Sequence, residues 1–237
     1  MKINKSLDTL IVGAGFAGKY SLHKQLSEGF KAEIFEQGED VGGTWYWNRY
    51  PGARCDIESM DYSFSFSEEL QQEWNWKEKY GTQPELFSYA KHVCEKFNLR
   101  KNINFNTKIT KAKFIKDTQG WLVTCDDNSV IKCRYLILAT GNLSTPNTPK
   151  INGVNTFKGN IFHTGAWPKE MPDFKNRTVG NTNYVPIFHT LNSNTTGESS
   201  FASDDFFACM DSFEGNVELT SNAADIAVGR MIVSSTQ

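Results

Sequence analysis

Thr9-Leu10-Ile11-Val12-Gly13-Ala14-Gly15-Phe16-Ala17-Gly18 decides the fold of this chain. Four strand-forming residues run directly into G-x-G-x-x-G. A helical pattern follows through Ala17, Tyr20, Ser21, Leu22, Gln25 and Leu26, and Gly29 stops it. Ala32-Glu33-Ile34-Phe35-Glu36 then reads as a second strand, giving β-turn-α-β. Each glycine has its own reason. Gly13 permits the tight turn, Gly15 lets backbone approach a pyrophosphate, and Gly18 lets helix and strand pack closely. The helix N-terminus offers free N–H groups and the positive end of a dipole to phosphate. Glu36 ends the second strand, 18 residues after Gly18, where a carboxylate accepts from a ribose hydroxyl. A lone G-x-G-x-x-G is weak, but this one has strand, helix and acid in order, and it predicts a dinucleotide site.

The rest of the composition is ordinary. The chain has 237 residues, 39% hydrophobic and 22% charged, with a formal net charge of −2. That balance makes no electrostatic case for nucleic acid or an anionic membrane. No apolar run reaches 18 residues, so no membrane span is expected. Five scattered cysteines (Cys55, Cys94, Cys125, Cys133 and Cys209) lack C-x-x-C spacing and read as reduced thiols of a cytoplasmic protein. The four histidines show no metal-ligand spacing.

Downstream of Glu36, Gly42-Gly43-Thr44-Trp45 reads either as a loop or as a second backbone approach to the cofactor, since paired glycines expose N–H groups. The aromatic and arginine-rich Tyr46 to Asp56 segment suits a ring-binding wall or a self-packed surface loop. Residues 64–81 read as a partly helical excursion. From Pro84 a helix runs with Leu86, Tyr89, Ala90, Val93, Cys94 and Phe97 on one face. Ile103, Phe105, Thr107 and Ile109 alternate as in a half-buried strand. Lys113–Lys116, Trp121–Cys125 and Val130–Arg134 read as an antiparallel meander inserted into an α/β domain. It leads into a separate, central parallel strand, Tyr135-Leu136-Ile137-Leu138, ending in Ala139-Thr140-Gly141. Small residues there let a ligand lie across the strand's carboxyl end. Residues 142–180 are rich in proline, asparagine and glycine, as in an ordered connection between domains. The last 57 residues hold one basic residue, Arg230, against seven acids, and 20 of them are Ser, Thr or Asn. They contain no second G-x-G-x-x-G. Asn216–Thr220 and Ile226–Val233 are the stretches there that read as strand.

The first glycine loop, Gly42-Gly43-Thr44-Trp45, Ala139-Thr140-Gly141 and the stretch Phe157 to Pro168 together resemble the Baeyer–Villiger monooxygenases, the class B flavoprotein monooxygenases. The family fingerprint F-x-G-x-x-x-H-x-x-x-W followed by Pro or Asp is matched by Phe157, Gly159, His163, Trp167 and Pro168. In the related flavin-containing and N-hydroxylating monooxygenases the Trp position is usually Tyr or Phe, so Trp167-Pro168 favours the Baeyer–Villiger branch. The resemblance covers roughly residues 5–180.

The resemblance implies an α/β fold, a Rossmann-like FAD-binding domain of the glutathione-reductase kind, over residues 1–145. It implies an antiparallel β-meander insertion there, an inter-domain linker over 146–180, and an irregular tail over 181–237. It implies FAD at Gly13, Gly15, Phe16, Ala17, Gly18, Glu36, Gly43, Thr44, Trp45, Asp56, Ala139, Thr140 and Gly141. NADPH would be the reductant, and one oxygen atom from O2 would enter a ketone to give an ester or lactone. Asp56 matches the family aspartate that fixes an arginine beside the flavin, a catalytic role. On residue type alone it reads as a turn-capping loop carboxylate. His163 reads from its chemistry as an acid or base. The resemblance favours a hydrogen-bonded linker residue controlling NADPH engagement. The family continues with a second glycine loop for NADPH and with the arginine that partners Asp56. Neither is found after Gly180, so the second nucleotide domain is expected to be missing. A truncated, catalytically inactive dinucleotide-binding module and a flavin-containing or N-hydroxylating monooxygenase are the alternatives. The fingerprint argues against a simple FAD-dependent pyridine-nucleotide reductase.

Overall fold

The computed structural model describes residues 3–147, 152–176, 178–182 and 231–235. The chain divides into two compact units, Met1–Trp47 with Ala53–Ser144, and Asn48–Gly52 with Thr145–Gln237.

The first unit holds a six-stranded sheet. Its strands are β1 (Lys5–Val12), β2 (Ala32–Phe35), β3 (Ile103–Asn104), β4 (Ile109–Ile115), β5 (Gly120–Cys125) and β6 (Val130–Leu138), in the order β3-β2-β1-β6-β5-β4. β1 is interior and runs parallel to β2 (Leu10 opposite Glu33) and to β6 (Leu10 opposite Leu136). Leu10 and Ile11 are fully buried, as the short apolar run of a central strand requires.

Helix α1 (Phe16–Ser27) links β1 to β2. One side of the sheet packs Ile11, Ile34 and Ile103 with Leu22, Val41, Cys94 and Leu99, with Ile137 and Ala139 against them. A second cluster gathers Leu7, Leu10 and Phe35 with Val123, Cys125, Ile131 and Cys133 of the antiparallel strands. Short helices α2 (Thr44–Trp47), α3 (Ser59–Tyr62) and α4 (Glu68–Glu73) follow β2. Helix α5 (Gln83–Lys96) starts with Pro84 in its first turn and buries Leu86, Tyr89, Ala90, Val93 and Cys94, the face its spacing predicts. Phe16, Phe64, Phe66, Trp74, Trp76 and Phe97 pack around Leu70, Tyr89 and Val93.

Three sequence expectations are corrected. The third meander strand and the central parallel strand are one element: β6 pairs antiparallel with β5 through Val130–Cys133 and parallel with β1 from Ile131 to Leu138. The meander therefore extends the same sheet. The alternation from Ile103 to Ile109 is broken into β3 and β4, because Asn106 takes φ +52, a left-handed turn that no strand accommodates. On α1, Tyr20 is 43% exposed, and the fully buried position beside it is Lys19.

In the second unit, β7 (Asn160–His163), β8 (Thr178–Thr182) and β9 (Met231–Ser235) form an antiparallel sheet in the order β7-β9-β8. β9 overlaps the expected strand at Ile226–Val233, whereas Asn216–Thr220 and Arg230 lie outside the described residues. No helix among the described residues is long and apolar enough to cross a membrane.

Candidate dinucleotide-binding site

Three parallel strands end together, and their ends are tied. Gly13 N–H donates to the Phe35 carbonyl at 2.9 Å and Ala139 N–H donates to the Val12 carbonyl at 3.0 Å. Gly13 turns with φ +100, and a Cβ there would lie 2.7 Å from the Ala139 oxygen. A Cβ on Gly18 would lie 1.9 Å from the Gly13 oxygen, so α1 can cross the turn this closely only with glycine at that position. Gly15 is different. Its φ of −72° is open to any residue, and a Cβ there meets only Gly43 Cα at 3.6 Å. Gly15 is also the N-cap of α1 and brings no side chain to cap it, which leaves first-turn donors for an anion.

The second glycine loop lies against the first. Gly42 N–H donates to the Ala14 carbonyl at 3.0 Å. Gly43, with φ +56, faces Gly15 so closely that a Cβ on it would sit 2.8 Å from Gly15 Cα. Thr44 opens α2, and Trp45 is buried with its indole N–H donating to the Tyr62 hydroxyl at 3.0 Å.

Glu36 is 4% exposed. Its carboxylate accepts from Ala14 N–H and from Gly38 N–H, each at 2.7 Å. It therefore braces the glycine loop, and each oxygen keeps a further lone pair for a hydroxyl. This brace, Gly38 and the contact of Gly42 with Ala14 were not read from the sequence. The only signal for them was the run of glycines on either side of Glu39-Asp40-Val41.

The structure thus gathers Gly13, Gly15, Gly18, Glu36, Gly43 and Ala139 at one strand end. Phe16 and Ala17 form the first turn of α1, and Phe16 stacks on Phe64 at 5.1 Å. Thr140 and Gly141 follow β6 and are exposed. Asp56 is exposed, and among the described residues it forms no ion pair. Its neighbour Arg54 pairs with Glu78 and donates to the Tyr80 carbonyl at 2.7 Å.

In the second unit, Phe157 is 39% exposed and Trp167 is buried beside Phe162 and Phe174, at 5.6 and 6.2 Å between ring centres. Gly159 and Pro168 are half-buried and flank β7 and the turn after it. His163 uses both ring nitrogens. Nδ1 accepts from Gly165 N–H at 3.0 Å, so Nε2 carries the proton and donates to the Asn147 carbonyl at 3.1 Å.

The chain matches the pyridine nucleotide-disulphide oxidoreductase family over residues 10–183 and belongs to it. Its relatives are Baeyer–Villiger and related flavin-dependent monooxygenases. It is 41% identical over 179 residues to a Baeyer–Villiger monooxygenase of Pseudooceanicola batsensis, covering 75% of this chain and 33% of the relative. It is 39% identical over 181 residues to a cyclohexanone 1,2-monooxygenase of Acinetobacter sp, covering 76% and 33%. Among solved structures, the OTEMO complex with FAD and NADP superimposes with a TM-score of 0.68 at 41% identity, covering 73% and 33%. The chain spans about a third of the length of the curated relatives it matches.

Proposed function

We propose that this chain holds FAD and is the flavin-binding part of an NADPH-using monooxygenase that inserts one oxygen atom from O2 into a ketone. The observation that carries the reading is the pair of facing glycine loops, open at Gly15 and braced by Glu36. The residues present fit the cofactor. The first turn of α1 gives N–H donors and dipole to the diphosphate, and Glu36 offers its free lone pairs to the adenosine ribose. Gly43, Thr44 and Trp45 close over it from the second loop, and Ala139, Thr140 and Gly141 leave room across the strand end. When bound, the flavin carries reducing equivalents from NADPH to O2. Asp56, exposed on this chain, would orient an arginine supplied from outside residues 1–180, and that guanidinium would stabilise negative charge developing at the flavin. The doubly hydrogen-bonded His163 holds the turn before Trp167, which supports a linker role over proton transfer. Four buried free thiols among the described residues support a cytoplasmic location.

The test is flavin retention together with NADPH consumption over a panel of cyclic and aryl ketones, with ester measured by chromatography. We expect the 237-residue chain to retain FAD and to show no ketone-dependent NADPH oxidation above that of free FAD, because no second glycine loop follows Gly180. Ester formed one to one with NADPH consumed would contradict this and would place a nicotinamide site in residues 181–237.

A further inference from the structure

Lys19 is fully buried, directly after the last glycine of the nucleotide loop. Its Nζ donates to the Ala90 carbonyl of α5 at 2.9 Å and lies 4.7 Å from the Phe16 ring centre and 5.9 Å from that of Phe64. A neutral amine keeps two N–H groups, and here the Ala90 carbonyl receives one while the Phe16 and Phe64 rings lie beside the head. No ion pair to Lys19 forms among the described residues.

The charged and titratable groups around it do not supply a counter-ion. From α5, Cys94 faces it as a buried thiol, itself pushed up by burial, and the Tyr89 hydroxyl is taken by Phe64 N–H at 2.9 Å. From the loop after β2, Asp40 is held by Arg100 at 2.6 Å. On α1 itself, His23 sits one turn further on, between Phe66 and Phe97, held down by burial and then by Lys24.

We propose that Lys19 is a positioning residue that makes the seating of the nucleotide-binding helix proton-linked: α1 docks on α5 through an amine that sheds its proton to sit there, so the glycine loop is held more firmly as the solution becomes alkaline. This holds whichever dinucleotide the loop takes. Burial lowers the docked Lys19 from 10.5 to about 7, with Cys94 and Asp40 opposing only in part. An undocked Lys19 keeps the ordinary value. Between the two, the undocked state binds one proton more, so the docked state gains as pH rises through that window and changes little below about 7. One proton of difference means about tenfold in the docking equilibrium per pH unit.

The experiment compares wild type with Lys19→Met by urea unfolding and by hydrogen exchange of the α1 amides, from about pH 7.5 to 9.5. Relative to Lys19→Met, the wild-type unfolding constant should fall roughly tenfold per pH unit, and the exchange of the first-turn amides, corrected for intrinsic rates, should follow it. Lys19→Met should be the more stable protein at pH 7.5. Parallel pH profiles for the two proteins would overturn the proposal. If the variant does not fold, lysine 13Cε NMR of the wild type decides: one lysine titrating near 7 supports the proposal, and all lysines titrating near 10.5 sink it.

Discussion

At the scale of single residues, the three glycines of the loop separate into two kinds. Gly13 and Gly18 serve the fold, because a Cβ on either would press on backbone oxygen at 2.7 or 1.9 Å. Gly15 is not required by the fold, because its φ is ordinary and its Cβ would meet only Gly43 at normal contact distance, and the proposed function gives it to the ligand. Gly18→Ala should therefore destabilise the chain by about 3 kcal/mol in denaturant unfolding, whatever ligand is present. Gly15→Ala should leave stability within about 1 kcal/mol of wild type, since a side chain there strains nothing and restricts the unfolded state. It should nevertheless weaken FAD binding by about tenfold or more, read by flavin fluorescence. Equal losses of stability in the two variants would mean that Gly15 is a packing residue too. All three glycines were legible in the sequence, and the structure bears out the backbone reasons for Gly13 and Gly18. It did not show Lys19, because a lysine on a helix is normally read as solvated, and only the packing of α5 and Phe64 across it reveals the burial.

At the scale of elements, pattern was a good guide where one face decides and a poor one where pairing decides. The helical face of α5 was legible because five buried residues recur at helical spacing and Pro84 marks the start. Leu86, fully buried against Trp45 and Cys55, tests that packing. Leu86→Ala should cost about 2–5 kcal/mol in denaturant unfolding, and a cost under 1 kcal/mol would mean that the helix does not rest on that cluster. The strand at β6 was misread as two because its residues change partner midway. Val130–Cys133 has a neighbour on each side, and the apolar run begins only at Tyr135. Composition shifts at that point although the backbone does not break. Residues 103–109 erred the other way: the alternation was there, but the positive φ of Asn106 interrupts the strand, and asparagine is among the residues that tolerate it.

At the scale of the whole molecule, the strand order with β1 interior and the meander on one edge follows from the β-turn-α-β start and the antiparallel run before β6. The candidate site was legible through its glycines and small residues, which are dictated by backbone approach. Its brace was not, because Glu36 reaches back 22 residues to Ala14, a contact set by tertiary closure. The central claim is that these loops hold the adenine dinucleotide form of flavin. FMN shares the flavin ring and lacks the adenosine and the second phosphate that Gly13–Gly18 and Glu36 would bind on this account. The direct measurement is equilibrium titration of the purified chain with FAD and with FMN, followed by flavin fluorescence. The account predicts saturation by FAD at one per chain and binding of FMN at least tenfold weaker. FMN binding as tightly as FAD, or no saturable binding of FAD, would contradict it.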